Sequence, residues 1–375
     1  MNFELTEEQR GLVDSTRSLL AAKCSLDRTR ELIDSDAGFD VELWRHGVGL
    51  GWPALAIAED DGGLGQQTID LALVAVELGR SLAATPFIPS VVVADAIGRS
   101  ETAQKSKLLQ SISEGTATAS WAFAEYGQPW SRAGISTTAE PRGEGWVLDG
   151  AKVSVQDADT AQTLLVDALL EGRVARFVVP ADSPGVRIGR QATLDVTRSY
   201  CDVTLAKVAV GAEALCASGD LADASLNRTL ALNTVLVAAE LVGIGQRLLD
   251  MTVGYVKERV QFGKPVGSFQ AVKHKCADMR IWAQASTAAT YYAALALDSE
   301  KHDVDHAVSV AKAYVSDAIN RVAGHALQLH GGIGFTWEHD LHLYLRRARA
   351  DAALSGDARH HRERLCAALA AEAVG

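Results

Sequence analysis

Toward the C-terminal end of this 375-residue chain, two strings carry residue types suited to gripping a phosphate. One runs Gln328-Leu329-His330-Gly331-Gly332-Ile333-Gly334-Phe335. The other runs Arg259-Val260-Gln261-Phe262-Gly263-Lys264-Pro265, with Gln270 just beyond it. Glycines end a helix, bend the backbone and let peptide N–H groups come close to a phosphate. Arg259 is a permanent cation able to hold a pyrophosphate in bidentate fashion. Phe262 can lie against a flat ring, and Gln270 offers amide donors and acceptors. Taken alone, the glycines fit a plain turn between helices equally well. Arg259 and Phe262, taken alone, fit a surface cation and a packed side chain. A group of histidines, His330, His339, His342, His360 and His361 with Asp340, invites a metal reading. Asp340 and His342 are two apart and share no helix face, while His360 and His361 adjoin Arg359 and Arg362 and read as solvated. No metal is expected, and His339-Asp340 is expected to fix a helix start.

The elements that must position these residues are mostly helical. Hydrophobic residues make up 48% of the chain, aromatics 6%, and there are only 8 prolines; Ala and Leu are abundant, a helix-forming composition. Thr6 followed by Glu7, Glu8 and Gln9 predicts a capped helix start, and Leu12, Val13, Thr16, Leu19 and Leu20 recur at helical spacing. Helices are expected over 41–48 and over 68–78, the second closed by Gly79 and preceded by the Asp60-Asp61-Gly62-Gly63-Leu64-Gly65 loop. Near Thr116 the texture changes. Trp146-Val147-Leu148, a turn at Asp149-Gly150 and the run 152–155 predict a hairpin. The runs 164–166, 175–179 and 201–210 read as further strands, and Asp182-Ser183-Pro184-Gly185 as a turn. Helical periodicity returns near 222, with long helices over 230–256, 268–299, 302–329 and 340–354 that suggest an antiparallel bundle. The chain is therefore read as an α+β, mostly α protein. It has an N-terminal helical domain (1–115), a middle β-domain (116–212) and a C-terminal four-helix bundle (213–375).

Composition narrows the function classes. A net charge of −11 argues against a nucleic-acid or anionic-membrane surface. No apolar run approaches the length of a membrane span, and the N-terminus lacks a secretory core. The 5 cysteines form no Cys-x-x-Cys pair and read as reduced thiols, so a cytoplasmic location is expected.

In their order and separation, the two glycine strings resemble the paired signatures of the acyl-CoA dehydrogenases. The likeness extends to the opening Leu5-Thr6-Glu7-Glu8-Gln9-Arg10, the Gly62-Gly63-Leu64-Gly65 loop and the 146–152 stretch, and so spans nearly the whole chain. It implies the same helical, β, helical order. It also implies FAD bound at subunit interfaces. Arg259, Phe262, Gln270, Gln328, Leu329, His330, Gly331 and Gly332 would hold the adenosine and pyrophosphate of a neighbouring subunit's FAD. The implied reaction oxidises an acyl-CoA thioester to the 2,3-enoyl-CoA. A carboxylate takes the α-proton, hydride leaves to the flavin, and an electron-transfer flavoprotein reoxidises the cofactor.

The carboxylate is absent from both positions where that family carries it. Counted without gaps, the Tyr-Glu-Gly-Thr tetrapeptide of many members falls on Leu354, Ser355, Gly356 and Asp357. The alternative position, on the first long helix of the bundle, falls on Asn233. Neither Ser355 nor Asn233 can act as the base. The stretch that often reads Thr-Glu-Pro-x-Ala-Gly-Ser-Asp is Ala124-Glu125-Tyr126-Gly127-Gln128-Pro129-Trp130-Ser131, and the usual Trp-Ile-Thr is Ser154-Val155-Gln156. These losses concern the chain's own flavin-ring site. Asp357 and Glu240 remain as candidate bases, although Glu240 also reads as a buried inter-helix polar residue. The resemblance thus supports three functions: a base-deficient subunit completing the FAD site of a homologous catalytic subunit, a self-sufficient dehydrogenase using Asp357 or Glu240, or a non-catalytic binding homologue.

Overall fold

The structure is a computed structural model that describes residues 4–35, 37–299 and 303–374. The helices of the N-terminal domain are α1 (Glu7–Lys23), α2 (Leu26–Ile33), α3 (Val41–Gly49), α4 (Thr68–Ser81), α5 (Phe87–Gly98) and α6 (Lys105–Ser113). The capping box forms as read: Gln9 N–H donates to Thr6 Oγ1 and Thr6 N–H to Gln9 Oε1. Asp40 caps α3 by accepting from the Glu42 and Leu43 amides.

A sheet follows, built from β1 (Ala119–Ala122), β2 (Thr138–Arg142), β3 (Gly145–Gln156), β4 (Thr163–Leu170), β5 (Arg173–Pro180), β6 (Val186–Arg190), β7 (Tyr200–Val210) and β8 (Leu215–Ser218). Its order is β6-β7-β3-β2-β4-β5-β8, with β1 pairing parallel to β4. The expected hairpin turn at Asp149-Gly150 is not a turn. The chain runs straight through as β3, with a bulge between Leu148 and Gly150 against β7. Gly150 has φ +154°, and a Cβ there would lie 2.5 Å from Thr137 Oγ1, so the glycine serves close approach within the sheet. The reversal sits earlier, where Arg142 pairs with Gly145 across Gly143, whose φ is +62°.

The C-terminal part opens with α7 (Gly219–Glu258), a 40-residue helix, and a short hairpin of β9 (Val260–Gln261) and β10 (Lys264–Pro265). Then come α8 (Gln270–Leu297), α9 (Val304–His330), α10 (Leu341–Ala353) and α11 (Ala358–Val374). Helices α7 to α10 are the expected four, although the expected start of the third, at 302, lies outside the described residues. Helix α11 was not read from the sequence. It begins after the left-handed residues Ser355 (φ 57°) and Gly356 (φ 91°), with Asp357 Oδ1 accepting from the His360 amide. Helix α7 is long and apolar enough to cross a membrane, but 83% of its apolar window is buried inside the protein. It is the core helix.

Gly79 does not close α4, which continues to Ser81. A Cβ at Gly79 would lie 2.2 Å from the Glu240 carbonyl oxygen, and one at Gly243 would lie 1.9 Å from that of Val76. The two glycines let α4 and α7 cross backbone to backbone. At the same crossing, Arg347 of α10 joins all three parts of the molecule. It is fully buried and reaches Asp195 at 2.7 Å, Glu240 at 3.1 Å, the Thr197 carbonyl at 2.9 Å and the Ala83 carbonyl at 3.5 Å. Arg198 grips the same Glu240 in bidentate fashion.

Candidate functional site

The two positions to which the resemblance assigns a base, 122 residues apart in sequence, meet in space: Asn233 Nδ2 donates to Ser355 Oγ at 2.7 Å. Asn233 comes from the middle of α7, and Ser355 from the left-handed turn between α10 and α11. Their contact joins two neutral side chains at the positions to which the family resemblance assigns a carboxylate. Behind it, His361 is buried and its Nε2 lies 3.0 Å from the Ser355 carbonyl. A carbonyl only accepts, so Nε2 carries the proton and Nδ1 accepts from the Ser309 hydroxyl at 3.3 Å. Burial pushes the imidazole down to about 3, so it is neutral. His361 is thus a core histidine, contrary to the solvated reading, because α11 folds back onto α9.

The remaining carboxylates stand elsewhere. Glu240 is fully buried, and its oxygens are taken by Arg198 and Arg347. It cannot reach a substrate, which corrects its candidacy as a base and bears out the inter-helix reading. Asp357 is exposed and caps α11 through the His360 amide at 2.8 Å.

Beside Asn233 lies a cavity of ≈ 30 Å³, bordered by Trp121, Phe123, Trp130, Ser154 and Leu354. Small-molecule pockets typically measure roughly 300–1,000 Å³. Aromatic side chains fill the space: Trp121 and Phe123 stack at 4.8 Å, and Phe123 meets Trp130 at 5.9 Å. Trp121 Nε1 donates to Asp167 at 2.6 Å, which anchors the stack. Sequence reasoning missed this cluster; its signal was the Trp121-x-Phe123 alternation at the end of β1 together with Trp130. Below the loop that carries Trp130, Glu125 accepts from Lys152 at 2.8 Å and from the Ser136 and Thr137 amides. Burial pushes the Glu125 carboxyl up, but Lys152 and these donors outweigh it and hold it at about 2.

The glycine strings come together at one end of the bundle. Tyr255, one turn before Arg259 on α7, donates to the His330 carbonyl at 3.3 Å and stacks on its ring at 4.5 Å. The His330 ring is buried between Tyr255 and His339, so its imidazole is not offered to a ligand. Gly331 has φ 64°, and a Cβ on Gly331 or Gly332 would meet nothing within 4 Å. Arg259, Phe262, Gln270 and Gln328 are exposed, and Leu329 is half-buried. His339 Nδ1 accepts from the Leu341 amide and so fixes the start of α10, while Asp340 instead holds Arg30 of α2 at 2.8 Å. Among the described residues, no group of three or more His, Cys, Asp or Glu side chains is placed to hold a metal ion.

Residues 6–116 match the acyl-CoA dehydrogenase N-terminal domain, and residues 224–370 match the acyl-CoA dehydrogenase C-terminal domain. The chain belongs to the acyl-CoA dehydrogenase family. Acyl-CoA dehydrogenase IpdE2 of Mycolicibacterium smegmatis is 33% identical over 366 residues, covering 96% of this chain and 98% of that protein. The ChsE4-ChsE5 complex of Mycobacterium tuberculosis contains a chain 29% identical, with TM-score 0.91 and 99% of each chain covered. Butyryl-CoA dehydrogenase of Megasphaera elsdenii is 25% identical, with TM-score 0.90, covering 98% of this chain and 100% of that one. The family comprises FAD-dependent oxidoreductases acting on acyl-CoA. The fit of this chain to FAD is uneven. An exposed arginine and an open glycine cradle suit the pyrophosphate half. The ≈ 30 Å³ cavity beside Asn233 does not admit a tricyclic ring.

Proposed function

We propose that this chain is a base-deficient subunit of a heteromeric acyl-CoA dehydrogenase. The Asn233–Ser355 hydrogen bond carries this reading, because it joins two neutral groups at the spot where a general base must stand. Arg259, Phe262, Gln270 and Gln328 to Gly332 of this chain would hold the adenosine and pyrophosphate of FAD for a homologous partner. That partner supplies the base and the ring pocket. When bound there, FAD supplies the acceptor for the hydride. The residues of this chain bind and orient its phosphate end, and the partner's carboxylate takes the α-proton of the acyl-CoA. A solved likeness whose name joins two chains, ChsE4 and ChsE5, supports such pairing. An electron-transfer flavoprotein is the reoxidant the family resemblance suggests. Free thiols at Cys24, Cys201, Cys216, Cys276 and Cys366 suit a cytoplasmic setting.

The visible absorption spectrum tests this. The chain purified alone is expected to be colourless, and to become yellow only when co-expressed with a base-containing homologue. A yellow chain, purified alone and bleached by an acyl-CoA, would restore it as a catalyst in its own right.

A further inference from the structure

Trp130 borders two cavities. On its inner side is the ≈ 30 Å³ space beside Asn233 and Leu354. On its outer side a cleft of ≈ 430 Å³ opens between Trp130, Asn227 and Leu230 of α7, and His360 and Arg364 of α11. Asn227, Leu230 and Asn233 follow at three-residue steps, so both cavities lie along neighbouring stretches of one side of α7. The indole therefore stands between the two spaces, where the β-domain meets α7 and α11.

The divider is braced rather than loose. Trp130 leans on Phe123, Phe123 stacks on Trp121, and Trp121 is tied to Asp167, which Arg176 in turn holds at 2.7 Å. The loop that carries it is closed at its base by Glu125 and the Ser136 and Thr137 amides. Arg132 ties the same loop to Asp223 of α7 at 3.0 Å. A Cβ on Gly134 would lie 2.1 Å from the Pro129 carbonyl oxygen, so the turn after Trp130 is tight as well.

We infer that Trp130 is a plug that keeps an acyl chain out of this subunit's own channel. The inference rests on the partner-subunit reading, which it deepens by naming the residue that closes the site. Removing the indole enlarges the inner cavity on the side of Phe123, Val237 and Leu354, an apolar wall that faces Asn233, Ser154 and Gln156. Dry apolar cavities take up apolar ligands.

The test compares octanoyl-CoA with free CoA by isothermal titration calorimetry on the full chain. Wild type is expected to bind the two equally. Trp130→Ser is expected to prefer octanoyl-CoA by about tenfold or more, equivalent to the ~1.4 kcal/mol that a decade of affinity represents. Trp130→Phe, which keeps an aromatic plug, should behave as wild type. A wild-type chain that already prefers octanoyl-CoA overturns the inference. So does a Trp130→Ser chain that is folded by circular dichroism yet shows no preference. If Trp130→Ser fails to fold, the wild-type titration still decides, with equal binding in support and a preference against. The flavin content of the same samples reports separately on the partner-subunit reading.

Discussion

In the proposed reading, Asn233 and Ser355 define the chemistry of the site by what they lack. Neither amide nor hydroxyl takes a proton near neutral pH without a base of its own, and here each satisfies the other. Asn233→Ala and Ser355→Ala are therefore expected to leave turnover of the co-assembled complex nearly unchanged. Asp357→Asn should be similarly mild, since Asn caps a helix as Asp does. A general base would cost about 10² to 10⁴-fold on such a change. A loss of that size, with flavin still bound, would identify Asp357 as the base. Glu125 makes a different kind of contribution. It balances Lys152, which is 0% exposed and whose ammonium burial pushes down in pKa. Glu125→Gln leaves that cation unpaired and is expected to cost about 3–5 kcal/mol in urea unfolding. Because the folded carboxyl titrates at about 2, below its unfolded value, its contribution is full above roughly pH 4.5. It is lost as pH falls through 2. A Glu125→Gln chain should therefore show a flatter loss of stability with acid than wild type, and equal slopes would count against the pairing.

Elements meet where small residues permit. Gly79 on α4 and Gly243 on α7 bring two backbones into contact, and the forty-residue α7 can then serve as the spine on which α4, α8, α9 and α10 pack. Gly79→Ala places a methyl group against the Glu240 carbonyl, which is backbone and cannot swing away. The expected cost is about 1–3 kcal/mol, read from the urea midpoint. An unchanged midpoint would mean that the helices slide apart freely. The left-handed Ser355-Gly356 turn is a second such device, since it bends the chain so that α11 buries its own His361 against α9 and brings Ser355 to α7.

At the scale of the whole molecule, Arg347 joins the three parts. Arg347→Met leaves Asp195 and Glu240 with one cation fewer in a dry interior, at an expected cost of about 3–5 kcal/mol in denaturant unfolding. A change below 1 kcal/mol would show that the cluster relaxes without it. At the other end of the bundle, the open glycine cradle is, in the proposed reading, a phosphate site for a partner's FAD. Arg259→Ala is expected to lower the flavin occupancy of the co-assembled complex while leaving the chain folded. Unchanged occupancy and unchanged FAD affinity would remove Arg259 from the cofactor site.

The sequence by itself determined the order of helices, sheet and helices, because periodicity and capping act within a few residues. It also singled out Asn233 and Ser355 by their spacing from the glycine strings, and the fold brings these two side chains into contact. Three things were out of its reach. A glycine looks the same whether it ends a helix, as expected of Gly79, or lets two helices touch, as it does. An Asp-Gly pair looks the same in a turn and in a bulge, and only the register of β3 against β7 separates them. Above all, Trp121, Phe123 and Trp130 converge beside Asn233 from a strand, its end and a loop. Packing of that kind is a property of side chains distant in sequence, and the tertiary structure alone decides it.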